Sequence, residues 1–194
     1  MNDRAFIVAS ASPRRRDLLK QAGFTFTVEP SDADETLPLG CSPEEAVALL
    51  SERKAVSVSA QHLGAVVLGC DTVVALGEKN LGKPGTTEEA AEMLRTLSGN
   101  THTVFTGVCI TDGKRTERFV SATDVTFYPL RDETIRAYVA TGEPMDKAGA
   151  YGIQGLGSVL VEGFSGDYYT VVGLPLAACA RVLAGFGVQG SIPV

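Results

Sequence analysis

Ser10-Ala11-Ser12-Pro13-Arg14-Arg15-Arg16 sets three guanidinium groups and two hydroxyls side by side, directly behind the apolar run Ala5-Phe6-Ile7-Val8-Ala9. Guanidinium groups grip phosphate oxygens through paired, charge-assisted hydrogen bonds. Pro13 suits the first turn of a helix, where its missing N–H would have no partner, and Ser12 stands at the N-cap position. Leu18, Leu19 and Ala22 then supply one apolar face, and Gly23 a stop. Three arginines thus crowd the end of a helix whose dipole favours negative charge. A polyanion such as a phosphate chain resolves that conflict. The alternative is a solvated basic turn, its arginines paired to Asp17 or another surface acid. The full Gly-x-x-x-x-Gly-Lys-Ser/Thr pattern of a Walker loop is absent from the sequence, since Pro84 follows Gly82-Lys83.

Asp71 ends the apolar run Ala65–Cys70. A carboxylate at the polar end of a buried strand serves a site or caps the next turn. Glu35, closing the acidic loop Ser31-Asp-Ala-Asp-Glu35, is its candidate partner or a solvated loop acid. Oxygen-only ligands of this kind favour Mg2+ or Mn2+, with waters completing the shell. Lys54 and Lys83 are further cations, solvated or drawn to an anion; Lys83 is locally constrained between Gly82 and Pro84. Gln154, within Gly152-Ile-Gln-Gly155, is an amide among glycines that a flat ligand can approach closely. The edge of an imide offers one donor between two acceptors, part of which an amide can match. His62 and His102 are too far apart in sequence for a helix-borne metal pair, and His102, opening a strand, reads as structural. Without a Gly-x-Ser-x-Gly motif, a Ser-His-Asp hydrolase is disfavoured. Tyr151, Tyr168 and Tyr169 read as core or interface aromatics.

The elements that must carry these residues follow from apolar periodicity. A chain of 194 residues, 44% hydrophobic and 21% charged, suffices for one domain over 1–194. Its net charge of -6 argues against a nucleic-acid partner. The cysteines at 41, 70, 109 and 179 form no Cys-x-x-Cys pair, so neither zinc nor redox chemistry is indicated, and Cys70 and Cys109 read as core. Met1-Asn2-Asp3-Arg4 and the short apolar run after it make no signal peptide, and no apolar stretch reaches membrane-spanning length. These features predict a cytoplasmic protein without a membrane partner.

Strands are expected at 24–28, 65–70 with an extension to 76, 102–110, 117–128 and 158–162, and a turn at Gly77-Glu-Lys-Asn80. A helix opens at Pro43 with Ala46, Val47, Leu49, Leu50 and Val56 on its apolar face. Thr86 caps another, and further helices cover 132–141 and roughly 174–185. Asp112-Gly113 marks a hairpin, Gly149–Gly157 is glycine-rich, and the tail from Gly187 is expected to fray. Alternating strands and helices around an antiparallel hairpin predict an α/β fold with a mixed sheet.

Ala9-Ser-Ala-Ser-Pro-Arg-Arg-Arg16, Glu35, Lys54, Cys70-Asp-Thr-Val-Val74, Gly82-Lys-Pro84, Leu97-Ser-Gly99 with His102, Thr106-Gly107, Asp146-Lys-Ala-Gly-Ala-Tyr-Gly-Ile-Gln-Gly155 and Val172-Gly-Leu-Pro175 share one order. Together they resemble the Maf family of nucleoside triphosphate pyrophosphatases from the first strand to the last helix. The resemblance implies an inosine-triphosphatase-like α/β fold, with a mixed, elongated sheet flanked by helices and a cleft between two lobes, often as a homodimer. It implies cleavage of nucleoside triphosphates between Pα and Pβ. Asp71 would be the proton acceptor, acting with Glu35, Lys54 and Lys83, and Glu35 and Asp71 would hold Mg2+, with Mn2+ as the alternative. Ser10, Ser12, Arg14, Arg15, Thr72 and Gln154 would bind substrate.

Arg14, Thr72 and Gln154 occupy the three positions at which Maf subfamilies differ. The combination resembles the branch acting on dTTP and UTP, with modified pyrimidine triphosphates within reach. The branch acting on 7-methyl-GTP typically carries tryptophan after the Ser-Pro, glutamine after the catalytic aspartate and glutamate in place of this glutamine. A cationic 7-methylguanine rewards a carboxylate, whereas a neutral pyrimidine imide suits an amide. The implied role is house-cleaning of the nucleotide pool. The competing reading is a non-catalytic nucleotide-binding regulator of septum formation or cell division.

Overall fold

The apolar run behind the arginines folds as β1 (Phe6–Val8), buried throughout, and pairs in parallel with both β2 (Thr27–Val28) and β3 (Val66–Leu76). Parallel neighbours need long crossovers. Helix α1 (Pro13–Gln21) provides the first, and α2 (Pro43–Ser59) lies in the second. The structure is a computed structural model that describes residues 4–77 and 79–194. The expectations for Met1–Asp3 and for Glu78 lie outside the described residues.

The remaining strands are β4 (Lys79–Leu81), β5 (Thr101–Thr111), β6 (Thr116–Phe127) and β7 (Val161–Ser165). They complete a seven-stranded mixed sheet of order β2-β1-β3-β5-β6-β7, with β4 antiparallel to β3 and β7 antiparallel to β6. Helices α3 (Thr87–Leu97), α4 (Asp132–Ala140), α5 (Tyr168–Val172) and α6 (Leu176–Gly185) flank it, giving the mixed α/β class expected. Among the described residues, no helix is long and apolar enough to cross a membrane. The chain forms two compact units. The first comprises Met1–Asp71, Thr106–Ser121 and Gly173–Val194; the second comprises Thr72–Phe105 and Ala122–Val172.

In the first unit, α2 opens with a capping box: the Ser42 hydroxyl accepts from Glu45 N–H (3.2 Å), and the Glu45 carboxylate accepts from Ser42 N–H (2.9 Å). Its buried face meets the sheet at two glycines. A Cβ on Gly69 would lie 2.6 Å from Ala55 N and closer still to the Ser51 carbonyl, and one on Gly107 would strike the Val47 carbonyl. Absence of a side chain therefore lets the helix backbone rest directly on β3 and β5. Ile7, Ala9, Ala55, Val58, Ala65, Val67 and Cys109 close the core around this contact. Val56, expected on the apolar face, is instead 49% exposed, because α2 presents Ala55 and Val58 to the sheet.

Three further expectations in this unit meet the structure. The strand at 24–28 shrinks to Thr27–Val28, since Phe24 and Phe26 turn to pack edge-on against Phe6. The hairpin forms as expected, with Gly113 at φ 83 and Asp112 accepting from Lys114 and Arg115 N–H. The tail does not fray. Ser191 N–H donates to the Ala22 carbonyl (3.0 Å), and Val188 is buried.

In the second unit, Thr86 caps α3 by accepting from Glu89 N–H (3.1 Å). Lys79 and Asn80 pair with Leu76 and Ala75 as strand, where a turn was expected. Residues 155–160 coil into a 3-10 turn that delays the last strand to Val161–Ser165. His102 is structural, as read: its Nε2 bonds the Tyr151 hydroxyl (2.8 Å), and both rings pack edge-on to Phe127. Burial lowers its pKa to about 4.

Candidate active site

Register builds the centre of the first unit. Val8 pairs with Leu68, and Ala9 N–H donates to the Leu68 carbonyl (2.8 Å). The chain leaving β1 at Ser10 therefore runs beside the middle of β3, where Cys70 and Asp71 lie; the strand continues to Leu76, so Asp71 sits within it and not at its end. Ser12 holds the N-cap position but makes no side-chain cap bond. The buried Ser10 hydroxyl organises the turn instead, accepting from Ser12 N–H (3.3 Å) and from Arg15 Nη1 (3.0 Å). Arg15 Nε donates to the Gly173 carbonyl (2.8 Å), which also accepts from the Cys70 thiol (3.3 Å). Arg15 thus stands next to the residue that precedes Asp71. Arg14 sits half-buried in the same helical turn, which contains no acid. Burial pushes the Cys70 thiol up, so this cysteine is inert packing.

Lys54 joins the two candidate acids. Its ammonium donates to Asp71 Oδ1 (2.6 Å) and pairs with Glu35 Oε1 (2.8 Å). The Lys54 and Asp71 side chains are 15% and 18% exposed, and that of Glu35 is 64% exposed. Burial opposes the ammonium's charge, yet the adjacent Asp71 and the hydrogen bonds to both acids prevail and raise its pKa. The close seat of α2 on Gly69 brings Lys54 within reach of β3. Arg53, the residue before it, fixes Glu35: its Nη1 donates to the carbonyls on either side, Asp34 (3.0 Å) and Thr36 (2.7 Å). Sequence reading missed Arg53, and its one signal was adjacency to Lys54.

Two carboxylates within hydrogen-bonding distance of one nitrogen form an oxygen-only donor set, and each keeps a second oxygen beyond the one that Lys54 engages. Among the described residues, no group of three or more His, Cys, Asp or Glu could hold a metal. A pair of carboxylates is the number that Mg2+ commonly takes from a protein, phosphate and water completing its shell.

The other expected residues belong to the second unit. Thr72 follows Asp71 on β3 and is half-buried. Lys83 is exposed in a segment anchored by Gly149 N–H donating to the Gly82 carbonyl (3.0 Å). Gln154 is exposed at the head of the 155–160 turn. Its loop is tied down by Glu143 and Tyr138, neither of which stood out in the sequence. Glu143 accepts from Leu156 and Gly157 N–H (3.0 Å each), and the Tyr138 hydroxyl accepts from Gly152 N–H (3.1 Å).

Residues 5–186 match the family described as Maf-like protein. The chain is 49% identical over 183 residues to a dTTP/UTP pyrophosphatase of Bacillus mycoides (strain KBAB4), covering 94% of this chain and 96% of that protein. It is 47% identical over 188 residues to a dTTP/UTP pyrophosphatase of Desulforamulus reducens (strain ATCC BAA-1160 / DSM 100696 / MI-1), covering 96% and 98%. The solved structure of the Staphylococcus aureus Ham1 protein superposes over 81% of this chain and 80% of its own, at a TM-score of 0.48 and 16% identity. An α/β chain whose Ser-Pro-Arg turn stands beside an Asp–Lys–Glu cluster, matched over nearly its whole length, belongs to the Maf family.

Proposed function

We infer that this Maf protein is a nucleoside triphosphate pyrophosphatase that hydrolyses dTTP and UTP between Pα and Pβ. The observation that carries the reading is the Lys54 ammonium bridging Asp71 and Glu35 beside the Ser10–Arg15 turn. The extensive identity to dTTP/UTP pyrophosphatases supports the choice of substrate.

Asp71 accepts the proton of the attacking water. The water oxygen bonds to Pα while the Pα–O–Pβ bond breaks, leaving the nucleoside monophosphate and pyrophosphate. Arg14, Arg15, Lys54 and Lys83 bind the polyanionic tail and stabilise negative charge on the departing pyrophosphate. Ser10 and Ser12 hold the turn in shape around Arg15 and contribute hydroxyls to the phosphates. Glu35 and Asp71 would hold Mg2+ or Mn2+, which when bound neutralises phosphate charge as a Lewis acid. Arg14, Thr72 and Gln154 set base preference, with the Gln154 amide matching the imide edge of thymine or uracil. The active form is a homodimer of single-domain chains (1–194) acting in the cytoplasm on the nucleotide pool.

A phosphate-release assay coupled to inorganic pyrophosphatase, run with Mg2+ on dTTP, UTP, CTP and 7-methyl-GTP, tests this directly. Turnover of dTTP and UTP is expected, and Asp71→Asn should abolish it while the protein still binds nucleotide. Nucleotide binding without turnover in the wild type would instead favour the regulator of septum formation.

A further inference from the structure

We propose that Glu143 is the positioning residue for Gln154: its carboxylate, working with the Tyr138 phenol, sets the 152–157 loop so that the Gln154 amide can read the pyrimidine base. The inference rests on the dTTP/UTP reading above.

Glu143 lies on the turn after α4, where Gly142 adopts φ 76. Its Oε2 accepts from Leu156 N–H (3.0 Å), and its Oε1 accepts from Gly157 N–H (3.0 Å) and from the Tyr138 hydroxyl (2.9 Å). The same phenol accepts from Gly152 N–H. Backbone amides on both sides of Gln154 are thereby anchored to one carboxylate–phenol pair. The backbone of Glu143 is itself held, because its N–H donates to the Thr141 hydroxyl (3.2 Å) and its carbonyl accepts from Lys147 Nζ (2.5 Å).

The glycines around Gln154 answer to this arrangement. A Cβ on Gly155 would lie 2.8 Å from Glu143 Oε2, on a backbone already at φ 65, and one on Gly157 would lie 2.6 Å from the Tyr138 hydroxyl. Only glycines allow the loop to approach its anchors so closely. Burial works against the Glu143 charge, but the Leu156 and Gly157 amides, the Tyr138 hydroxyl and nearby Lys147 outweigh it and lower the pKa. The anion supplies an acceptor to both amides at once. A glutamine there would turn an NH2 donor toward one of them.

A loop anchored so thoroughly, yet carrying an exposed amide at its head that makes no cap bond, is built to hold a side chain for a ligand. An amide that must match a base edge discriminates only when its position is fixed.

The test is a cycle of Gln154→Ala, Glu143→Gln and the double variant, with kcat and KM measured on dTTP and on dATP. Glu143→Gln should lower the dTTP-over-dATP preference roughly tenfold, the scale of one misplaced orienting hydrogen bond, chiefly by raising KM for dTTP. On Gln154→Ala it should change the preference no further, since the group it positions is gone. Tyr138→Phe, which keeps the carboxylate, should shift the preference the same way and serves where Glu143→Gln fails to fold. Equal losses on both nucleotides, or a full additive loss in the double variant, would overturn the positioning role. If Gln154→Ala itself leaves the preference unchanged, base reading by Gln154 fails, and the inference with it. If the wild type leaves dTTP intact, the pyrophosphatase reading fails first and separately.

Discussion

Lys54→Met removes the ammonium that joins Asp71 to Glu35 while keeping much of the side chain's apolar bulk. Stranding one partner of a buried ion pair costs about 3–5 kcal/mol. Glu35 is 64% exposed and returns to water almost without loss, since exposed pairs are worth only about 0–1 kcal/mol. Asp71, at 18% exposed, keeps most of the penalty, and partial rehydration trims it. The expected loss at pH 7 is therefore about 2–3 kcal/mol, or a drop in Tm of roughly 5–10 °C for a chain of this size. Urea unfolding of both proteins across pH measures it. The raised pKa of Lys54 sets the sign: its contribution is fully present below the ordinary value of 10.5 and is lost as pH rises through the folded value. The gap between the two proteins should stay constant through neutral pH and close as alkali deprotonates Lys54. A variant within about 0.5 kcal/mol of wild type at pH 7, or a gap indifferent to alkali, would refute the reasoning.

Gly69→Ala should destabilise the fold by about 1–3 kcal/mol, because the new methyl forces α2 off β3; activity should fall by more than stability explains, as Lys54 moves with the helix. Stability near wild type in a denaturant titration would contradict that close seat. Arg53→Ala should leave melting within a few degrees of wild type and raise the Mg2+ concentration for half-maximal activity several-fold, since it frees the backbone on both sides of Glu35; an unchanged Mg2+ titration would deny Arg53 that part. His102, with its folded pKa near 4 against an ordinary 6.5, takes a proton in the unfolded chain before it does in the fold. Stability should thus be intact above pH 6.5 and fall by about 3 kcal/mol toward pH 4. His102→Gln should flatten that part of the curve, and identical acid slopes for the two proteins would sink the assignment.

The opening strand, the Pro13 helix start, the buried strand carrying Asp71 and the helix bearing Lys54 were all legible, because each rests on local periodicity and capping that a single sequence displays. Motif order identified the family. What stayed hidden depends on contacts between distant segments. Ser12 looked like the organiser of its turn, yet Ser10 takes that part because Arg15 reaches back to it. Gly69 lay unremarked inside a continuous apolar run and Gly107 inside a strand, when they are the places where a helix touches the sheet. Glu143 reads as one more surface acid until the fold returns residues 152–157 to it. The tail looked free because nothing nearby in sequence reveals that Ala22 holds it.

The bond from Arg15 to the Gly173 carbonyl joins residues 158 positions apart. A ribosome delivers the arginine turn early and its Gly173 anchor near the end of synthesis, so an emerging chain exposes these guanidinium groups before that long-range anchor exists, with the Ser10 hydroxyl as a local partner of Arg15. Competence to grip a nucleotide's tail therefore arrives late and abruptly, and a chain truncated ahead of residue 173 would keep its whole Ser-Pro-Arg sequence without the carbonyl that holds Arg15.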